Sequence, residues 1–286
     1  MFGELNVDFI DVVSPPATHA HAVAAGVAAG SHVFCEKPLV MSRAELECLA
    51  DAAAHTPVVV EPCHNWLYSP AIRLALAHIS SGELGAPSFA AFSAMRSRPA
   101  TGADYGCPDW RGRDGTNGGI LADLGYHGMY LAMRVFGVPP DSVYVREVVY
   151  GEARPPTPVV AMCRLEFGAL GVFDLTLSWL ASNRKTEFLV RCERGSVSVM
   201  NDCLSIESDD RVLVRQSFRG AEDSWHAAWT GHSLDQFIAA FGAPERHGCL
   251  TEASIFSVLM LEAALTSARL GKPVRLDGPS GWMRCP

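Results

Sequence analysis

The sequence lacks several features that would place it in other classes of protein. No stretch approaches the roughly 20 apolar residues that span a membrane. The first ten residues carry two acids and no basic segment, unlike a secretory leader. No Lys/Arg cluster stands out in a chain of formal charge −8, which argues against nucleic acid or an anionic membrane as a partner. We therefore expect a cytoplasmic protein that acts on a small molecule.

The cysteines show no pairing pattern. Nine of them are scattered through 286 residues without a C-x-x-C pair. An odd number in a chain of this size favours free thiols in a reducing compartment, and the spacing gives no metal framework. We expect no metal site.

Residues 1–86 predict the first of two domains. Three apolar strands, within "VDFIDVVSPP", "SHVFCEKP" and "TPVVVEPC", alternate with three helical segments. Ser42 and Glu45 are spaced like a capping box at the start of the second helix. Alternation of strands and helices predicts crossover connections and a parallel sheet.

Residues 87–286 have a different pattern. "VAMCRLEFGALGVFDLTLSW" predicts two strands joined at Gly168–Gly171, and "TEFLVRCERGSVSVM" predicts two more joined near Arg194-Gly195. One apolar helix precedes these strands and two helices follow them. The fold class expected is α/β plus α+β: a partial, Rossmann-like parallel sheet, then a larger, mainly antiparallel sheet with flanking helices.

Two charged residues stand where the second strand should end. Glu36 and Lys37 follow the apolar run Val33–Cys35, and Pro38 denies the next position a backbone donor. Ligands of open α/β sheets bind at the carboxyl ends of the strands. Lys37 is therefore either part of a site or one half of an ordinary surface ion pair.

An acid and an imidazole lie four residues apart in the apolar helix. Asp123 and His127 project from one face of a helix at this spacing. The pair predicts acid–base chemistry, or else a simple hydrogen bond on a helix surface. Gly118-Gly119 just before it would let the backbone approach a neighbour closely.

Five segments together resemble the glucose-fructose oxidoreductase and inositol dehydrogenase (Gfo/Idh/MocA) family. They are listed in chain order: "VDFIDVVSPPATHAHAVAAGVAAGSHVFCEKPL", "HNWLYSPAIRLALAHISSGELGAP", "DWRGRDGTNGGILADLGYHGMYLAMRVFG", "FGALGVFDLTLSW" and "EASIFSVLMLEAALTSARLGKPVRL". The resemblance covers nearly the whole chain. It implies an NAD- or NADP-dependent enzyme that transfers a hydride at a carbinol of a sugar, cyclitol or related polyol.

The resemblance also implies roles for individual residues. Lys37 would bind the reacting oxygen and relay its proton, His127 would be the general acid–base, and Asp123 would orient substrate or His127. The remaining roles are the nicotinamide-ribose contacts Pro16, His19 and Glu36 and the substrate contacts Asn65, Trp110 and Arg111. A homo-oligomer, formed through the second-domain sheet or the exposed partial sheet, is a further expectation of the resemblance.

The family's G-x-G-x-x-G turn does not occur in this sequence. The chain starts at what resembles the fourth strand of the family's nucleotide domain, so we expect cofactor binding to need the missing unit. Two other functions stay open on the same scaffold: a non-redox enzyme catalysing elimination or epimerisation, and a partner protein without cofactor.

Overall fold

A computed structural model describes residues 7–99, 118–149, 158–209, 211–218 and 227–277. Its strands form two sheets, one of three strands and one of nine. The small sheet comes from the amino-terminal part of the chain and the large sheet from the rest. This is the predicted fold class, which is confirmed.

The small sheet is parallel throughout. Its order is β1-β2-β3, with Phe9 opposite His32 and Val33 opposite Val60. Helices α1 and α2 connect the strands, and the predicted capping box of α2 is present: Ser42 Oγ accepts from Glu45 N, and Glu45 Oε2 accepts from Ser42 N. The elements are β1 (Phe9–Val12), α1 (His19–Ala28), β2 (His32–Cys35), α2 (Arg43–Ala54), β3 (Val60–Pro62) and α3 (Pro70–Ser80).

The large sheet is antiparallel except for one pair. Its order is β11-β10-β9-β8-β4-β7-β6-β5-β12, and β4 and β7 run parallel. Both predicted hairpins, β6–β7 and β8–β9, are confirmed. The strands are β4 (Pro87–Met95), β5 (Ser142–Val149), β6 (Pro158–Glu166), β7 (Val172–Ser178), β8 (Lys185–Cys192), β9 (Gly195–Met200), β10 (Cys203–Ser208), β11 (Arg211–Ser217) and β12 (Val274–Arg275).

Helices cover one face of the large sheet. The three remaining helices are α4 (Tyr126–Phe136), α5 (Ala227–Ala239) and α6 (Glu252–Leu270). α3 packs on β9 and β10, α4 on β4, and α6 on β5, while Phe237 of α5 packs on Phe9 and Phe34 of the small sheet. α6 is long and apolar enough to cross a membrane, but most of it is buried inside the fold, as in a core helix of a soluble protein.

The thiols depart from expectation at one position. Cys35, Cys48, Cys63, Cys163, Cys192 and Cys203 are free, as predicted. Cys249, in contrast, is disulfide-bonded.

The division of the chain at residues 86 and 87 stays a prediction. α3 lies before that point in the sequence and packs on β9 and β10 of the large sheet.

Candidate active site

The Glu36-Lys37-Pro38 triplet follows the end of β2, at the carboxyl edge of the small sheet. β2 ends at Cys35, and Glu36 N donates to Val12 O at the end of β1. Glu36 Oε2 accepts from Lys37 N at 3.2 Å, and the Lys37–Pro38 peptide bond is cis. The hydrogen bond between Glu36 N and Val12 O therefore keeps the residue before Lys37 at the sheet edge.

Lys37 connects this edge to the helix that carries Asp123. Its Nζ donates to Asp123 O at 2.5 Å and lies 3.5 Å from Asp123 Oδ1. Both side chains are largely buried, with 13% and 10% of their surface exposed. Lys37 is thus the internal partner of a carboxylate from a distant part of the chain, and not a surface ion pair.

Asp123 lies in a wide turn of helix. Residues Leu121–Gly125 form a π-helix that continues directly into α4, where His127 lies. Gly118 precedes this turn with φ +71°, and a Cβ there would lie 2.7 Å from Ala122 Cβ. Only glycine fits this approach, which confirms that the backbone comes close to a neighbour at this point.

His127 is held by a tyrosine one turn further along α4. Its Nδ1 lies 2.8 Å from Tyr130 Oη, and the imidazole also packs on Trp66 with ring centroids 5.9 Å apart. Tyr130 Oη accepts a hydrogen bond from Trp66 N at 3.2 Å. The position of the imidazole is therefore set by buried neighbours.

Asp123 and His127 line the same cavity, whose volume is about 340 Å³. The polar groups and aromatic rings of its wall include Asn65, Arg96, Asp123, His127, Trp179 and Arg184. Within the described part of the chain, Asn65 Oδ1 and Trp179 Nε1 are buried there without a hydrogen-bond partner. Two polar atoms of residues in the wall thus have unused hydrogen-bonding capacity.

The cavity wall also carries positive charge. Arg96 donates to Met95 O, Lys185 O and Thr186 Oγ1. Burial and the neighbouring Arg184 lower the pKa of Arg96 to about 10, while Asp123 acts in the opposite direction. Arg96 therefore remains a cation at neutral pH.

The predicted cofactor contacts lie beside Lys37. Pro16 and His19 are buried, and Glu36 is half-buried. His19 Nδ1 lies 2.7 Å from Pro38 O and Nε2 lies 2.8 Å from Ser14 O. Because its two ring nitrogens contact Ser14 O and Pro38 O, His19 connects the loop after β1 to the loop after β2 that contains Lys37.

The remaining predicted residues divide into two groups. Asn65 lines the cavity, whereas Trp110 and Arg111 lie outside the described residues. Sequence reasoning did not single out Arg96, Tyr130 or Trp179 as site residues. A tryptophan and an arginine that each directly follow a strand were the available signals, but neither indicates a site until it is known which strands are neighbours in the sheet.

The residues present fit the nicotinamide end of a dinucleotide. The cavity adjoins the carboxyl edge of a parallel sheet, where such ligands bind, and its wall holds the unpartnered Asn65 Oδ1 and Trp179 Nε1. Lys37 supplies a cation next to it.

Two family models match consecutive parts of the chain. Residues 1–64 match the oxidoreductase family with an NAD-binding Rossmann fold, and residues 72–198 match the GFO/IDH/MocA C-terminal domain. Together they cover most of the chain.

Curated relatives include two bacterial proteins. The oxidoreductase YrbE of Bacillus subtilis is 26% identical over 282 residues, which cover 95% of this chain and 79% of YrbE. Myo-inositol 2-dehydrogenase of Thermotoga maritima is 26% identical over 174 residues, which cover 59% of this chain and 49% of that enzyme. The chain thus spans about half the length of the second relative, and 37% of a relative from Saccharomyces cerevisiae.

A solved structure shows the same architecture. GenD2 from gentamicin A biosynthesis, in complex with NAD, superposes with a TM-score of 0.77 at 25% identity, covering 95% of this chain and 79% of GenD2. The chain therefore belongs to the Gfo/Idh/MocA family of oxidoreductases.

Proposed function

We propose that the chain is an NAD(P)-dependent oxidoreductase acting on a carbinol of a sugar, cyclitol or related polyol. The observation that carries this proposal is the Lys37–Asp123 contact, which brings an ammonium from the small sheet to Asp123 in the wall of the cavity that His127 lines. A nicotinamide would take up or supply the hydride at the carbinol carbon.

Lys37 is the group we assign to the reacting oxygen. An ammonium next to the reacting oxygen stabilises the alkoxide that would develop when a hydride adds to the carbonyl carbon, and it can supply the proton that turns this alkoxide into the carbinol. Asp123 holds this ammonium through its carbonyl and its carboxylate, so Lys37 is oriented before substrate binds. His127 would be the general acid–base at the same oxygen, as the family resemblance implies.

The other assignments follow from position. Pro16, Glu36 and Lys37 would contact the nicotinamide-ribose end, and His19 would hold the two loops that carry them. Asn65 would bind substrate, together with Trp110 and Arg111. Among the relatives, one is a myo-inositol 2-dehydrogenase and another a scyllo-inositol 2-dehydrogenase that uses NADP(+), which supports cyclitols as the first compounds to test.

Cofactor titration and oxidation assays test the proposal. We expect saturable binding of NADH or NADPH by calorimetry, and nicotinamide-dependent oxidation of at least one member of a panel of inositols and sugars. Lys37→Met should lower kcat about 10²- to 10³-fold, because the developing alkoxide loses its cation. Lys272→Met is the matched control, since Lys272 is exposed on the loop after α6 and should leave activity unchanged.

The same experiment separates the alternatives. Absence of binding at millimolar NADH and NADPH contradicts the redox proposal for this chain. Turnover of a polyol that needs Lys37 but no nicotinamide would instead indicate elimination or epimerisation by the same residues.

We also propose a cytoplasmic location and a homo-oligomer. The face of the large sheet opposite α4 and α6 exposes Val148 and Met162, which are 46% and 51% exposed. Apolar side chains on an open sheet face favour contact with a second copy. Light scattering coupled to size exclusion should give a mass above 30.8 kDa, and Met162→Glu should lower it; a monomeric wild type contradicts this proposal.

A further inference from the structure

The wall of the candidate active-site cavity carries more positive than negative charge. Asp123 is the only acid among the described residues of this wall. Three others are arginines: Arg96, Arg98 and Arg184. The Asp123 carboxylate lies 3.5 Å from Lys37 Nζ, so an ammonium already matches its charge. Because the chain as a whole has a formal charge of −8, the arginines are a local feature of the cavity and not a general property of the surface.

Arg96 has N–H donors left for a ligand. Its guanidinium donates to three neutral oxygens: Met95 O, Lys185 O and Thr186 Oγ1. A guanidinium carries five N–H groups, so at least two of them, including the Nε–H, have no partner among the described residues. Arg164 shows what such a group can bind, since its Nε and Nη2 hold the two carboxylate oxygens of Asp174 at 2.8 Å each.

Arg98 adds a second guanidinium to the same wall. Its side chain is exposed, and it makes no hydrogen bond or ion pair within the described part of the chain. Burial and the charge of Arg184 both lower the pKa of Arg96, so the cations of this wall repel one another. An anion bound between the guanidinium groups would offset that repulsion and accept charge-assisted hydrogen bonds.

The arginines belong to the large sheet. Arg96 and Arg98 follow the end of β4, and Arg184 directly precedes β8. Lys37, in contrast, follows β2 of the small parallel sheet, at the edge where a dinucleotide would bind. The positive charge therefore lies with the sheet that faces the substrate, and not with the strand ends that would meet the cofactor.

We propose that the substrate carries an anionic group, a carboxylate or a phosphate ester, which Arg96 and Arg98 bind. The substrate class is then a sugar acid, a cyclitol acid or a sugar phosphate. With the anion held at the arginines, the carbinol lies in the same cavity as Asp123 and His127. The inference rests on the proposed function for calling the bound molecule a substrate, whereas anion binding itself does not depend on it.

Calorimetry with matched acidic and neutral sugars tests anion binding. The probes are D-glucuronate, D-galacturonate, the 6-phosphates of D-glucose and D-galactose, and the two neutral sugars. We expect at least one anionic probe to bind the full chain about 10-fold or more tightly than its neutral partner, and the difference to shrink as salt is added. Comparison of the acids with the phosphates identifies the anion. If no anionic probe binds more tightly than its neutral partner, the inference is overturned.

Substitutions at Arg98 test the assigned residue. Arg98 is exposed, so Arg98→Gln and Arg98→Glu disturb no buried contact. We expect Arg98→Gln to weaken binding of the anionic probe about 3- to 10-fold, and Arg98→Glu to weaken it more. Arg211→Gln is the matched control, because Arg211 is also exposed and lies on β11, four strands away from β4. Equal binding of the anion by Arg98→Glu and the wild type contradicts the assignment.

Turnover separates this inference from the proposed function. Arg98→Gln should raise the KM of an anionic substrate and leave kcat within about 2-fold, because it removes binding that substrate and transition state share. Anion binding without nicotinamide-dependent turnover would refute the proposed function and leave the anion site standing. Turnover of a neutral polyol, without any preference for the acid or the phosphate, would refute the anion site and leave the proposed function standing.

Discussion

Acid should destabilise the protein through one buried histidine. His64 follows β3 and packs against Tyr130, with its Nε2 buried and without a hydrogen-bond partner in the described residues. Burial lowers the pKa of His64 from 6.5 to about 3. The folded protein therefore holds His64 neutral, whereas the unfolded chain binds a proton below pH 6.5.

The size of the effect follows from linkage. Because the folded-state pKa is lowered, the stability contributed by neutral His64 is complete above about pH 6.5 and is lost as pH falls toward 3. The loss is about 1.4 kcal/mol per pH unit, or roughly 2 kcal/mol at pH 5 and roughly 5 kcal/mol over the whole range.

Urea denaturation at pH 7.5 and pH 5.0 measures this difference. His64→Phe keeps an aromatic ring against Tyr130 and removes the titration, so its free energy of unfolding should fall by about 2 kcal/mol less than that of the wild type between the two pH values. His55→Phe, at an exposed histidine beyond the end of α2, should behave as the wild type. Equal losses in wild type and His64→Phe would refute the reasoning.

Two further predictions concern stability. Gly171 has φ +140°, and a Cβ there would lie 2.0 Å from Ser88 O. Gly171→Ala should therefore lower the free energy of unfolding by about 3 kcal/mol or more, measured by thermal or urea unfolding. Gly242→Ala should change it little, because a Cβ at Gly242 meets nothing within 4 Å. Arg246 Nη2 lies 2.9 Å from Glu61 Oε2, and burial raises the pKa of Glu61 despite Arg246. Arg246→Met should therefore lower the free energy of unfolding by about 2–3 kcal/mol at neutral pH, because it leaves a buried carboxylate unpaired. Glu61→Gln should stay within about 1 kcal/mol of the wild type. A lower urea midpoint for Glu61→Gln than for Arg246→Met contradicts this account.

Much of the fold could be predicted because its signals are local. The alternation of strands and helices, the capping box of α2 and the glycines at Gly168–Gly171 depend on neighbouring residues only. Lys37 could be placed at the sheet edge for the same reason, since Pro38 marks the end of a strand. The family resemblance then added roles for Lys37, Asp123 and His127 that remain predictions.

The missed features depend on contacts between distant residues. Nothing near Tyr130 in the sequence shows that its hydroxyl meets Trp66 N, which lies 64 residues earlier. The π-helix at Leu121–Gly125 also carries no composition signal, and its Gly125 packs against Leu177 of β7, a strand from a distant part of the chain. His19 resembled a cofactor contact in sequence, and only the structure shows that backbone oxygens occupy both of its ring nitrogens.

The single parallel pair of the large sheet decides which side chains meet. Met95 and Ser178 are register partners at the ends of β4 and β7, so the next residues, Arg96 and Trp179, emerge together at one rim. Had β7 run the other way, its seven residues would have carried Trp179 about 20 Å from Arg96. Strand direction, more than the sequence of any loop, thus brings the Arg96 guanidinium and the Trp179 indole to the same rim from distant positions in the chain.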